Sequence, residues 1–172
     1  MLGLKHNTNV LVEHDPAWAS EYAKEQASLA AALGHFARGM EHYGSTAVSG
    51  LIAKPILDIL VGVSPLDDWR HCHDPLLSLG YDYAAHAGVA GHHIFGRGRD
   101  RSERTHLVHV VLFDGPSWTP NLRFRDALRN DPELRAAYAE IKLRAANAAP
   151  DSRPRYNQLK QSFIDTIKAG LA

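Results

Sequence analysis

The sequence predicts an α/β or α+β chain, one domain over residues 1–172. Two observations carry this. The run Ile56 to Val63 is almost wholly Ile, Leu and Val, bounded by Pro55 and by Ser64-Pro65, as a strand buried on both faces would be. Around it, apolar residues recur at helical spacing behind clear helix-start signals. A chain of 172 residues that is 45% hydrophobic is long enough to bury a sizeable core.

The elements follow in order. Asp15-Pro16 supplies an N-cap and a first-turn proline, and Trp18, Tyr22, Leu29 and Leu33 form the stripe of a helix that stops at Gly34. Ala37 to Tyr43 is a short strand leading into Gly44-Ser45-Thr46, and Ala47 to Leu51 is a short helix or turn. Beyond the Ile56–Val63 strand, Leu66 to Leu79 reads as a helix ending near Gly80, and Ala84 to Gly91 as a connection of small residues. His92 to Gly96 and Thr105 to Phe113 read as strands, joined by a polar hairpin tip carrying Arg97, Arg99, Arg101 and Arg104. Thr119-Pro120 and Asp131-Pro132 each start a helix, and Asn147 to Pro154 breaks the chain. Tyr156, Leu159, Phe163 and Ile167 mark a last helix ending at Gly170.

Composition removes several functions. The 19 basic and 19 acidic side chains balance, which excludes a protein that grips duplex nucleic acid through a basic face. A small anionic ligand held by local Arg and Lys stays open. Cys72 is the single cysteine, so neither an intramolecular disulfide nor a cysteine-based zinc site can form, and a cytoplasmic location is expected. The start MLGLKHNTNV has no apolar run of signal-peptide length, and the apolar stretch around Asp58 is too short to span a membrane.

Asp58 is the first residue to carry chemistry. A carboxylate among Ile56, Leu57, Ile59, Leu60 and Val61 costs several kcal/mol, roughly, if it is buried without a partner. It would hold Mg²⁺ or Mn²⁺, or accept a proton from a substrate hydroxyl. A structural pairing with Lys54 or a backbone N–H accounts for the same residue. Gly44, Ser45 and Thr46 can present N–H groups and hydroxyls to a phosphate, although Gly-Ser-Thr is also a common turn. His109 is a candidate metal ligand or general base, and equally a core histidine. His106, three residues earlier on the same strand, faces the other way. His92 and His93 also alternate, so at most one of them points at any site, and His71 and His73 read as solvated. Arg97 is the one arginine of the hairpin tip expected at a phosphate. Tyr138/Lys142 and Tyr156/Lys160 are i,i+4 pairs on helix faces, with each tyrosine toward the core and each lysine at its rim. Arg125 and Asp126 suggest an ion pair to the sheet.

The stretch from Glu41 to Val61, with Tyr43-Gly44-Ser45-Thr46 and Lys54-Pro55-Ile56-Leu57-Asp58, resembles the signature of the GrpB family, also written UPF0157. His106-Leu107-Val108-His109, Phe124-Arg125-Asp126, Tyr138 with Lys142 and Tyr156 with Lys160 extend the likeness over roughly Val10 to Ala169. Ser49 departs from the proline usual there. The resemblance implies a fold like that of the polymerase beta-like nucleotidyltransferases, a mixed sheet flanked by helices with further helices at the C-terminus. His109 would then lie on a strand near Asp58. Leu60 departs from the active pattern, because two-metal catalysis normally needs a second acid on that strand face.

The expected function is therefore transfer of a nucleoside monophosphate from a nucleoside triphosphate to a small-molecule or protein acceptor. Asp58 and His109 would act at the metal, with Gly44, Ser45, Thr46, Lys54, Arg97, Lys142 and Lys160 on the phosphates. The alternative is a non-catalytic module that binds a nucleotide or another anionic ligand. That reading carries a link to coenzyme A metabolism, since the family occurs fused to dephospho-CoA kinase in some bacteria.

Overall fold

A computed structural model describes residues 1–100 and 102–172; Arg101 of the hairpin tip lies outside the described residues. Five strands form the main sheet: β2 (Gly39–Tyr43), β3 (Leu57–Val63), β4 (Asp82–Tyr83), β5 (His93–Arg97) and β7 (His106–Leu112), after the two-residue β1 (Leu4–Lys5) and beside β6 (Glu103–Arg104). Their order is β2-β3-β7-β5-β4, with β1 and β6 pairing as a separate ribbon. Among the described residues only β3 and β7 run parallel, so the sheet is mixed, as the sequence predicts.

Helices cover both faces. α1 (Ala17–Leu33) and α2 (Trp69–Ser78) pack on one. Leu29, Leu33 and Leu76 there meet Ile59, Val61, Val63, Phe95, Val108 and Val110 of the strands. α3 (Thr119–Asn130), α4 (Pro132–Ala148) and α5 (Arg153–Gly170) gather over the other, where Leu60 and Val111 meet Trp118. Burying each such Leu, Ile or Val contributes about 1.5–3 kcal/mol, so a polar side chain on either inner face needs a reason.

The starts of α1 and α4 use the predicted residues, whereas at α3 Thr119 is the first helical residue and no side chain caps that end. The Asp131 carboxylate accepts from Leu134 N–H at 2.9 Å, and Pro132 opens α4. Asp15 accepts from Ala17 N–H at 2.9 Å, one residue ahead of the expected start of α1. Ser152 and Pro154 open α5 by the same device. The stretch 66–68 is a 3₁₀ turn rather than the first turn of α2. The sequence gives no sign of β1, β4 and β6, each too short to show an alternating pattern. Among the described residues no helix is long and apolar enough to cross a membrane.

Candidate functional site

Alternation along β3 turns Leu57, Ile59, Val61 and Val63 toward α1 and α2, and Asp58, Leu60 and Gly62 toward α3 to α5. Asp58 stands at the mouth of that second face, next to Tyr43 in the register. The chain leaves β2 through Gly44, at φ 70° and ψ −173°. Any side chain there would put its Cβ 2.7 Å from Asp58 Oδ2, so the backbone passes directly over the carboxylate. Ser45 to Ala47 then make one 3₁₀ turn, too short to supply a helix N-terminus to an anion.

His109 on β7 shares this face, one strand over. Its Nε2 lies 3.5 Å from Asp58 Oδ1 and is otherwise buried without a partner. Its Nδ1 lies 3.1 Å from Nδ1 of His92, and the ring of Tyr43 meets it edge-on at 5.3 Å. Burial pushes the His92 imidazole down to about 4, helped by the neighbouring His109, Lys168 and His93. A cavity of about 280 Å³ opens beside these groups, with Tyr43, Gly44, Ser45, His92, Tyr138 and Lys168 in its walls. A shallower depression of about 380 Å³ between α1 and β2 is lined by Ala, Gly, Gln and Met side chains and offers no charged or titratable group.

Cations collect near Asp58, outside the cavity lining. Lys54 and Lys160 place their ammonium groups 4.6 and 4.4 Å from the centre of the Tyr156 ring, which is fully buried. Burial, then Arg153 and Lys160, push Lys54 down to about 7, while Asp58 pulls the other way. Burial pushes Lys160 down to about 8, against the pull of Asp58 and with a further push from Arg153. Arg153 is lowered chiefly by burial; it reaches the Thr8 carbonyl at 3.3 Å and leaves Nε buried and unpaired. Among the described residues Asp58 is the one carboxylate that offsets this group.

Three expectations need correction. Arg97 does not reach the site. Two residues after Phe95, it lies on the α1 face, where Glu25 holds its guanidinium, Leu79 carbonyl accepts from it at 3.3 Å, and Tyr81 stacks beneath. Thr46 is 2% exposed, and its hydroxyl is bonded to His42 Nε2 at 2.9 Å, so it is not free for a phosphate. Lys142 is 1% exposed and donates to the Ile52 carbonyl. Burial, then Lys160 and Lys54, hold it well below the usual lysine range, so it ties α4 to the loop before β3 and stands behind the site. Arg125 does bridge Asp126 and Glu41 of β2, at 2.8 and 2.7 Å. Sequence reading missed Arg153 and left His92 and His93 as alternatives. Ser152-x-Pro154 was a cap signal for the first, but nothing in the sequence distinguishes His92 from His93.

The residues present do not fit a two-metal centre. Mg²⁺ and Mn²⁺ want several oxygen ligands in defined positions. Here the strand offers Asp58 alone, because Leu60 is fully buried where the second acid would stand, opposite His109. Among the described residues no group of three or more His, Cys, Asp or Glu side chains could hold a metal ion. The cations around Asp58 oppose a further positive charge.

The comparisons agree with the fold. The family described as GrpB protein matches residues 8–169. Glutamate-rich protein GrpB of Alkalihalophilus pseudofirmus is 32% identical over 97% of this chain and 98% of its own. Some relatives are longer: the chain spans 63% of UPF0157 protein PA4798 of Pseudomonas aeruginosa, at 38% identity, and 44% of a dephospho-CoA kinase of Mycobacterium leprae, at 30%. The crystal structure of GrpB from Enterococcus faecalis superposes with a TM-score of 0.82, at 32% identity, over 94% of this chain and 96% of that one. Cid1 in complex with its short product ApU superposes with a TM-score of 0.52 at 14% identity, covering 78% of this chain and 42% of that one, a likeness of fold alone. The chain belongs to the GrpB family, built on a nucleotidyltransferase-like fold.

Proposed function

We propose that this protein binds a phosphorylated small molecule of the nucleoside polyphosphate type, in the cytoplasm, between Lys54, Arg153 and Lys160 and the cavity wall at Gly44-Ser45. One observation carries the reading: three basic side chains are held half-buried around a single carboxylate, two of them as amines pushed down to about 7 and about 8. Such a cluster works against folding and is retained where a ligand supplies the missing negative charge. The balanced net charge and the confined cavity favour a small anion over duplex nucleic acid or a membrane surface. A coenzyme A-type ligand carries the same pyrophosphate, and the dephospho-CoA kinase relatives make it the second arm of the test.

Thermal shift with ATP, UTP, inorganic pyrophosphate and coenzyme A, in EDTA and in Mg²⁺, checks this. The expected result is stabilisation by polyphosphates already in EDTA. At 100 times Kd that stabilisation is about 2.7 kcal/mol. No shift with any of the four rejects the reading.

Transfer of a nucleoside monophosphate is the second reading. It is favoured by Asp58 and His109 facing each other on adjacent strands beside a cavity that could seat an acceptor.

A further inference from the structure

We propose that Asp58, His109 and His92 form a proton relay ending in the cavity, with His92 as the general base toward a hydroxyl group or water placed beside the bound phosphate. The inference rests on the phosphorylated-ligand reading above. The proton positions follow from the geometry. The two Nδ1 atoms lie 3.1 Å apart, so one donates and the other accepts. His109 Nε2 faces Asp58 Oδ1 at 3.5 Å, with no other partner. A carboxylate attracts an N–H and repels a lone pair, so the His109 proton sits on Nε2 and its Nδ1 is the acceptor. His92 then donates from Nδ1, and its lone pair is left on Nε2. Since His92 lines the cavity and turns Nδ1 to His109, Nε2 is its free nitrogen there. The 3.5 Å gap exceeds a hydrogen bond, as such contacts often do before substrate binds.

The relay gives each group a task. As the hydroxyl oxygen attacks phosphorus, its proton passes to His92 Nε2. The bond from phosphorus to the leaving phosphate oxygen breaks, and that oxygen keeps the electron pair. On the binding reading above, Lys54, Lys160 and Arg153 hold the phosphate chain that takes up this charge, and Lys168 stands in the cavity wall with His92. The new positive charge on His92 strengthens the bond from its Nδ1–H to His109, whose Nε2–H is held by Asp58. The titratable groups that act on His92 are His109 and Lys168, with His93 next in the chain but stacked on Trp69, and Tyr43 lies against His109. In the free protein burial, with Lys168 nearby, keeps His92 neutral with its lone pair available, and an anion bound nearby raises its basicity toward working pH.

The test follows pyrophosphate release from ATP and UTP by the full chain, with and without Mg²⁺, beside the nucleotide-induced thermal shift. Wild type is expected to release pyrophosphate slowly. His92→Asn should lower that rate about 10²- to 10⁴-fold, the usual contribution of a positioned base, while keeping the thermal shift. Added imidazole should restore part of the rate to His92→Ala, which a purely structural role would not allow. Imidazole ¹⁵N shifts test the relay without ligand or turnover and should show protons on His92 Nδ1 and His109 Nε2. Opposite tautomers overturn the relay, as does bound nucleotide with no release by wild type, or release untouched by His92→Asn. Correct tautomers without any nucleotide shift would instead overturn the binding reading, and the base function that depends on it.

Discussion

Lys54 and Lys160 share one tyrosine ring and repel each other across it. Their lowered pKa values have a direct consequence for stability. A lysine ordinarily titrates near 10.5, and these titrate near 7 and 8 in the folded chain. Between about 7 and 10.5 the unfolded chain therefore binds more protons than the folded one, so this cluster makes stability rise with pH across that window. A series of melting temperatures from pH 7 to 10 should show the rise, and saturating pyrophosphate should flatten it by holding both amines charged. A melting temperature that falls through the window with or without pyrophosphate would deny the cluster its charge repulsion. Asp58→Asn separates two accounts of that carboxylate. As the counter-charge to the cations, its loss should lower the stability of the free protein and leave polyphosphate affinity in EDTA equal or higher. As an indispensable metal ligand, its loss should abolish nucleotide binding. Isothermal titration with pyrophosphate decides between them.

At the level of elements, β3, β7 and the turn after β2 build the site. Gly44 sits in a backbone region essentially restricted to glycine, with Asp58 Oδ2 under the place of a Cβ. Gly44→Ala should cost about 1–3 kcal/mol in urea unfolding and weaken ligand binding by displacing the Gly44-Ser45 backbone of the cavity wall. A variant of wild-type stability would mean the turn relaxes freely. These parts were legible in the sequence because strand alternation is a strong rule. Asp58 and His109 each interrupt an apolar strand, and their shared face followed from the fold resemblance. The same rule could have removed Arg97, which stands two residues after Phe95 and so shares its buried face. The i,i+4 spacing found Lys142 and Lys160 but not their depth, since burial depends on how α4 and α5 cross, and no local pattern encodes that. Arg153 fell in a stretch read as a chain break, although Ser152 and Pro154 carry the signals used for the other helix starts. The pairing of β5 with β7 is what brings His92 beside His109, and no local pattern separates it from His93, the first residue of β5.

For the molecule as a whole, a net charge of zero conceals a local excess of cations around one acid. The histidines add an acid limit. Burial holds His42, His92 and His106 down to about 4, against an ordinary value of 6.5. Between about 4 and 6.5 the unfolded chain takes up protons that the folded one refuses, so stability falls as pH drops through that range. Circular dichroism melts from pH 7 to 4 should show the loss, and His106→Gln, remote from the site on the α1 face, should reduce its slope. The central claim, a cation cluster kept for an anionic ligand, is tested most directly by Lys160→Met, measured at pH 7.5 for both melting temperature and pyrophosphate affinity by isothermal titration. Met keeps much of the side chain's length and removes its charge. The account predicts a free protein at least as stable as wild type and pyrophosphate binding weakened at least about tenfold, a loss of about 1.4 kcal/mol. A destabilised Lys160→Met that binds pyrophosphate as wild type does would contradict it.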